Sequence, residues 1–257
     1  MNLVTNPFLK AIRSGEKQIG LWVSLGSNFA AEAIARSGFD WVLLDMEHCP
    51  SELDAILSQL QVFEAADSTP IVRPDWNDSV KVKRILDIGA LGLLFPMIQS
   101  VEEAEAAVAS TRYPPRGIRG VSTSTRANAF GRVTDYFDRV EDETAIIVQL
   151  ETQSAISQAE EIAAVDGVSG VFFGPADIGA DIGKLGKPMD PAVWDVILPA
   201  AKRLMDQGVP VGTLVADPDF AAKLFKEGFT FVACGADLGL LVKGADNLLA
   251  TMKSKLS

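Results

Sequence analysis

The sequence predicts an α/β fold in which eight parallel strands close into a (β/α)8 barrel, and three observations predict it. Eight short apolar runs punctuate the 257 residues, each bounded by Gly, Pro or charge. A segment with the apolar spacing of an amphipathic helix follows each run. Polar residues gather where the runs end and not where they begin, as expected when a barrel presents its chemistry at one rim.

In order, the predicted strands are "IGLWVSL" at 19–25, "WVLLDM" at 41–46, "PIVRP" at 70–74, "GLLFPMI" at 92–98, "AIIVQLE" at 145–151, "VSGVFFGPAD" at 168–177, "PVGTLV" at 210–215 and "FTFVACGAD" at 229–237. Helical spacing covers 28–38, 51–66, 78–89, 100–110, 153–165, 190–207, 217–227 and 238–253. Near-continuous apolar strands need both faces covered, which means a parallel sheet under helices. Eight repeats favour closure over an open doubly wound sheet, and no GxGxxG follows the first strand to suggest a dinucleotide site. An extra helix precedes strand 1, with Asn6 as cap, Pro7 at its first position and Gly15 near its end. Ser51 with Asp54, and Asp190 before Pro191, read as further helix starts. The whole chain, 1–257, reads as one domain. Its irregular stretch, about 111 to 140, is far longer than an ordinary barrel connection and carries Arg112, Arg116, Arg119, Arg126, Arg132 and Arg139, so it is expected to be functional.

Composition narrows the function. With 48% apolar and 22% charged residues the chain is globular, and no run reaches membrane-spanning length. A net charge of −11 argues against a nucleic-acid surface. The N-terminus shows no basic start and apolar h-region, so the expected compartment is the cytoplasm, where Cys49 and Cys234 are free thiols.

The strand ends supply the candidate site. Strand 2 ends in Asp45, Glu47 and His48, strand 3 in Arg73, strand 5 in Gln149 and Glu151, and strand 6 runs into Asp177. Gln149 and Glu151 share a face with Ala145 and Ile147 and point into the barrel, whereas Ile146, Val148 and Leu150 face the helices. Neighbouring carboxylates at Glu151 and Asp177 repel unless a cation lies between them. Oxygen ligands with positions left for water and substrate suit Mg²⁺ or Mn²⁺. Bland readings stand beside these: Glu151 paired with a loop arginine, Arg73 bridged to Asp45, Trp22 as packing, and Glu47 without a role from spacing alone.

Six stretches in this order and spacing, "GLWVSL", "DWVLLDMEHCP", "PIVRPDWND", "RYPPRGIRGVS", "VQLET" and "GVFFGPADI", resemble the metal-dependent (class II) pyruvate aldolases of the HpcH/HpaI family. The resemblance covers nearly the whole chain. It implies a (β/α)8 barrel, a hexamer of dimers that exchange the last helix, and reversible aldol cleavage of 4-hydroxy-2-oxo acids. The products would be an aldehyde and pyruvate, or a related 2-oxo acid such as hydroxypyruvate, formed through a metal-bound enolate. It implies Glu151 and Asp177 as ligands of a divalent metal, Mg²⁺ or Mn²⁺ with Co²⁺ or Zn²⁺ as substitutes. Gln149, Trp22, Leu214 and the backbone around Gly174, Pro175, Ala176 and Asp177 would contact substrate. Arg73 would stabilise the enolate, and His48 would be the general base, oriented by Asp87 with Asp45 close by. The partners are small molecules and further copies of the chain, with neither nucleic acid nor membrane.

Three rivals differ in observable ways. A Schiff-base aldolase needs a strand lysine, and no predicted strand contains one. Oxaloacetate decarboxylation, or another lyase reaction of the phosphoenolpyruvate/pyruvate barrel group, would use the same metal and arginine but depend less on His48. A non-catalytic sensor would bind metal and oxo acid without turnover.

Overall fold

The eight strands hydrogen-bond in sequence order, and the last closes on the first. In the computed structural model they are β1 (Gln18–Val23), β2 (Trp41–Asp45), β3 (Thr69–Arg73), β4 (Gly92–Phe95), β5 (Ala145–Leu150), β6 (Gly170–Phe173), β7 (Val211–Leu214) and β8 (Phe231–Ala236). Every neighbouring pair is parallel. The structure describes residues 5–256, so 1–4 and 257 of the expected domain lie outside the described residues.

The helices are α1 (Pro7–Arg13), α2 (Asn28–Ala35), α3 (Leu53–Phe63), α4 (Ser79–Asp87), α5 (Val101–Thr111), α6 (Tyr136–Glu143), α7 (Gln153–Ser157), α8 (Ala159–Ala163), α9 (Pro175–Asp181), α10 (Pro191–Asp206), α11 (Pro218–Glu227) and α12 (Asp237–Leu256). Asn6 caps α1 as expected, accepting the Leu9 N–H at 3.0 Å, and Asp190 caps α10 by accepting that of Ala192 at 3.0 Å. Ser51 does not cap: α3 begins at Leu53 behind Glu52, and Ser51 is buried, with the Cys49 thiol 3.5 Å from its hydroxyl. The segment 153–165 divides at Gln158 into α7 and α8. The run at 168–177 is not all strand, because Pro175 cannot donate to a ladder yet fits the first turn of a helix.

Two cores follow from the period-two alternation of the strands. Trp41, Leu43, Ile71, Leu94, Ala145, Ile147, Phe172 and Phe231 fill the barrel, and Phe8, Leu9 and Ile12 of α1 pack into the same cluster. Val42, Leu44, Val72, Ile146, Val148 and Leu150 face the helices. The assignment of β5 faces made from sequence therefore holds residue by residue.

The stretch 111–140 departs from expectation. It connects α5 to β5, so it lies at the end where strands begin, opposite the rim carrying His48 and Glu151. Its arginines are spent on structure. Arg112 and Arg116 bind Glu141 and Asp166, Arg119 binds Asp87, Arg126 binds Glu64 and the Ile88 carbonyl, Arg139 binds Asp135, and Arg132 donates to the Ala129 carbonyl.

The last helix, α12, has Asp237 as its buried residue and carries Leu240, Leu241, Leu248 and Leu249 on exposed positions. No helix among the described residues is long and apolar enough to cross a membrane.

One close approach inside the barrel is testable. A Cβ on Gly20 would lie 2.2 Å from the ring of Trp41, which is 1% exposed and fixed by its indole N–H to the Gln18 carbonyl at 3.1 Å. Gly20→Ala should destabilise the protein by about 2–3 kcal/mol through overpacking, read from the shift of a urea unfolding midpoint.

Candidate active site

The sheet register places Asp45, the last residue of β2, directly beside Arg73, the last residue of β3. Arg73 donates from Nε to Asp45 Oδ1 at 2.8 Å and from Nη2 to Oδ2 at 2.7 Å, a bidentate fork between two buried side chains. Its Nη1 lies 2.7 Å from Glu47 Oε2. Trp22 closes the arrangement, donating its indole N–H to Asp45 Oδ2 at 3.2 Å while the guanidinium rests 4.9 Å from its ring centroid. Burial alone would raise the Asp45 carboxyl, but the Arg73 bonds and charge outweigh it and hold the group below its ordinary range. The bridge between Arg73 and Asp45 allowed by the sequence thus exists, and it orients the guanidinium at the rim.

Glu151 follows β5 and is 2% exposed. Met97 donates its backbone N–H to Oε2 at 2.7 Å, and the Gln149 amide donates to Oε1 at 2.6 Å. Desolvation pushes its carboxyl up to about 8, with Asp177 and Glu47 adding repulsion that those two bonds only partly offset. The Glu47 carboxyl is also raised, first by burial, although Arg73 and His48 pull it down. Three carboxylates therefore share a neighbourhood in which Arg73 is the fixed cation.

The backbone accommodates this cluster at two points. A Cβ on Gly174 would fall 2.8 Å from Glu151 Oε1, so a side chain there would occupy the carboxylate's own space. Met97 holds φ at 52°, a left-handed conformation unusual for a non-glycine residue, and thereby aims its N–H at Glu151.

A cavity of about 570 Å³ opens over these groups, lined by Trp22, His48, Arg73, Gln149, Phe172, Asp177 and Leu214 among others. His48 stands at its mouth with its side chain 67% exposed and Nε2 3.8 Å from Glu47 Oε1. Gly174, Pro175, Ala176 and Asp177 form one wall. Of their backbone groups, the Gly174 N–H is donated to the Leu150 carbonyl at 3.1 Å and Pro175 has none, which leaves Ala176 and Asp177 as first-turn donors of α9.

The structure thus brings together Trp22, Asp45, His48, Arg73, Gln149, Glu151, Leu214 and the 174–177 segment. One expected relation is not made within the chain. Asp87 does not reach His48 within the chain: it ends α4, at the opposite end of the barrel, and binds Arg119 at 2.8 Å. The carboxylate oxygens of Asp45, three residues before His48, accept from Arg73, Trp22 and the Glu47 N–H. Sequence reading placed Glu47 in the strand-2 cluster without giving it a role, and the structure joins it to Arg73 and His48. It missed Met97, whose bent backbone leaves no mark in residue type.

The residues present fit a hard divalent cation. No group of three or more His, Cys, Asp or Glu side chains forms a metal cage among the described residues, so a site here would have Glu151 and Asp177 as its protein ligands and leave the remaining positions to substrate and water oxygens. The excess of negative charge, the glycine cradle over Glu151 and the buried Gln149 Oε1, which has no hydrogen-bond partner among the described residues, all suit such an ion.

Known proteins resemble the chain over nearly its whole length. The HpcH/HpaI aldolase/citrate lyase family model matches residues 18–244. The chain is 48% identical over 250 residues to a pyruvate aldolase of Rhizobium etli, covering 97% of this chain and 98% of that protein. It is 45% identical over 248 residues to a 4-hydroxy-2-oxo-heptane-1,7-dioate aldolase of Klebsiella pneumoniae, covering 96% and 94%. A crystal structure of a family protein from Burkholderia cenocepacia superposes with a TM-score of 0.93 at 37% identity, covering 97% of this chain and all of that one. With the barrel, the acid–arginine rim and these matches in agreement, the chain belongs to the HpcH/HpaI aldolase/citrate lyase family and is a carbon–carbon lyase.

Proposed function

We propose that this aldolase is divalent-metal-dependent and reversibly cleaves 4-hydroxy-2-oxo acids to an aldehyde and pyruvate, or a related 2-oxo acid such as hydroxypyruvate. The observation that carries the reading is Glu151: a carboxylate this buried, with Asp177 and Glu47 adding to its repulsion, is suited to a cation rather than to a structural partner. Glu151 and Asp177 would hold Mg²⁺ or Mn²⁺, which would supply Lewis acidity toward the 2-oxo carbonyl.

The chain's own groups account for the remaining chemistry. Gln149 and the N–H groups of Ala176 and Asp177 orient the 2-oxo acid carboxylate, and Trp22 and Leu214 bound its flanks. Loss of a C3 proton moves charge onto the carbonyl oxygen, where the Arg73 guanidinium, already oriented by Asp45, donates without reorganising. In cleavage, His48 at the cavity mouth takes the proton of the C4 hydroxyl, and Glu47 beside it stabilises the imidazolium that forms. We assign the enzyme to the cytoplasm, and we read α12, with its exposed leucines, as the element exchanged between subunits of a hexamer.

Metal-stripped protein mixed with pyruvate in D₂O should lose its methyl proton signal only when Mn²⁺ or Mg²⁺ is added, and Glu151→Gln should abolish that exchange. Metal-independent exchange would defeat the proposal.

Because the metal-free Glu151 carboxyl is raised to about 8, it holds a proton at neutral pH that an incoming cation must displace. Apparent metal affinity should therefore rise by up to about tenfold per pH unit between pH 6 and 8 and level off above, and calorimetry in buffers of different ionisation enthalpy should show proton release.

Arg73→Ala should lower turnover by about two orders of magnitude or more, as removal of an oxyanion donor typically costs ~3 kcal/mol. Arg73→Lys keeps the charge but loses the bidentate fork, so it should recover little of that rate in a folded protein checked by circular dichroism.

A further inference from the structure

Glu151 takes one of its hydrogen bonds from outside its own strand. The Met97 N–H reaches its Oε2 at 2.7 Å from the connection between β4 and α5, "PMIQS" at 96–100. That reach depends on the φ of 52° at Met97, and a non-glycine residue stays in this region only where its surroundings over-determine it. Both flanks of Met97 are tied to β5. On one side Phe95 pairs with Val148 in the ladder. On the other, the buried Ile98 donates its N–H to the Gln149 carbonyl at 3.1 Å, and the Gln99 side-chain oxygen accepts the hydroxyl of Thr152, the residue after Glu151.

Gln99 is anchored in turn by its own backbone. Its N–H goes to Glu103 Oε2 at 2.7 Å, and its carbonyl accepts from the Gln158 side-chain amide at 3.4 Å. The segment 96–100 thus forms a strap across the end of β5 that reaches Gln149, Glu151 and Thr152, and all of these contacts lie within one chain. Thr152 has a second duty, because its hydroxyl oxygen accepts the Ala155 N–H at 3.1 Å and caps α7. A cap needs only an acceptor. The hydroxyl proton is therefore spare, and its donation to Gln99 joins the backbone just beyond Glu151 to the strap that supplies the Met97 N–H.

We propose that Gln99 is a positioning residue for the Glu151 carboxylate: through Thr152 it holds the 96–100 strap against β5, so that Met97 keeps its left-handed backbone and its N–H stays on Glu151. The inference rests on the metal-dependent reading above, in which Glu151 is a ligand. Gln99 itself touches neither substrate nor metal in this account. Without its side-chain oxygen, Met97 is free to relax to an ordinary backbone, and the carboxylate loses the donor that fixes its rotation. Partners that orient a ligand from behind in this way are typically worth about 10–100-fold in metal affinity.

The test is a Mn²⁺ titration of metal-stripped protein followed by the electron paramagnetic resonance signal of the free ion, which reads affinity without turnover. Gln99→Met removes the acceptor but leaves the α7 cap, and it should weaken Mn²⁺ binding by about tenfold. Thr152→Val removes the donor and should weaken binding at least as much, whereas Thr152→Ser keeps the hydroxyl and should bind with near-native affinity. In a Met97→Gly background, where the left-handed backbone costs little, the loss caused by Gln99→Met should shrink. Native-like affinity in Gln99→Met, a Thr152→Ser protein as weak as Thr152→Val, or an undiminished loss beside Met97→Gly overturns the inference and leaves the metal reading standing. Should Gln99→Met not fold, the Thr152→Val and Thr152→Ser pair decides alone. No Mn²⁺ binding by the native protein overturns both.

Discussion

Glu151 sits at the rim of a barrel whose interior is otherwise aromatic and aliphatic, where an ionised carboxylate is costly unless something compensates it. The surrounding structure is arranged around that cost. Met97 adopts a left-handed backbone to direct one N–H at it, Gln149 turns its amide onto it from two residues upstream, and position 174 is glycine because a Cβ would collide with it. These contacts offset only part of the desolvation, and Asp177 and Glu47 add to it. In the metal-dependent reading proposed above, a cation would compensate the remainder and the local instability would become binding energy.

Arg73 has the opposite problem and the opposite solution. Buried cations also need partners, and Asp45 meets both ends of the guanidinium fork while Trp22 covers its face. The pair is neutral as a unit, so it can lie next to the carboxylate cluster without collapsing onto Glu151. Parallel register makes this possible: Asp45 and Arg73 are side by side because β2 and β3 pair at those positions. Asp45 is therefore a positioning residue for Arg73, and Glu47, reaching both Arg73 and His48, links the oriented guanidinium to the exposed imidazole.

The barrel and most of this site were legible because they depend on local patterns. Apolar runs of strand length, alternating with amphipathic segments, recorded all eight strands, and the two-residue spacing of Gln149 and Glu151 put them on the inner face. What failed to show depends on backbone path or on distant contacts. The extended run through Phe173 hides the turn at Gly174 because Val, Phe and Pro are equally at home in a strand or its exit, so α9 was not seen. Asp87 is likewise unreadable as to direction: a carboxylate at a helix end serves whichever basic residue the tertiary fold brings to it, and here that is Arg119.

The long arginine-rich connection shows how the same ambiguity can mislead. Its length and its basic excess in an acidic chain suggested a functional loop, yet Arg112, Arg116, Arg119 and Arg126 are each paired with a carboxylate at the strand-start end of the barrel. There α1 inserts Phe8 and Ile12 into the barrel core, and the ion pairs tie α4, α5, α6 and the loop around it. Rigidity at that end has a consequence at the other. Strands fixed at their starts deliver Asp45, Arg73 and Gln149 to the rim at set heights, so the carboxylate cluster can be held close to repulsion without the fold relaxing to relieve it.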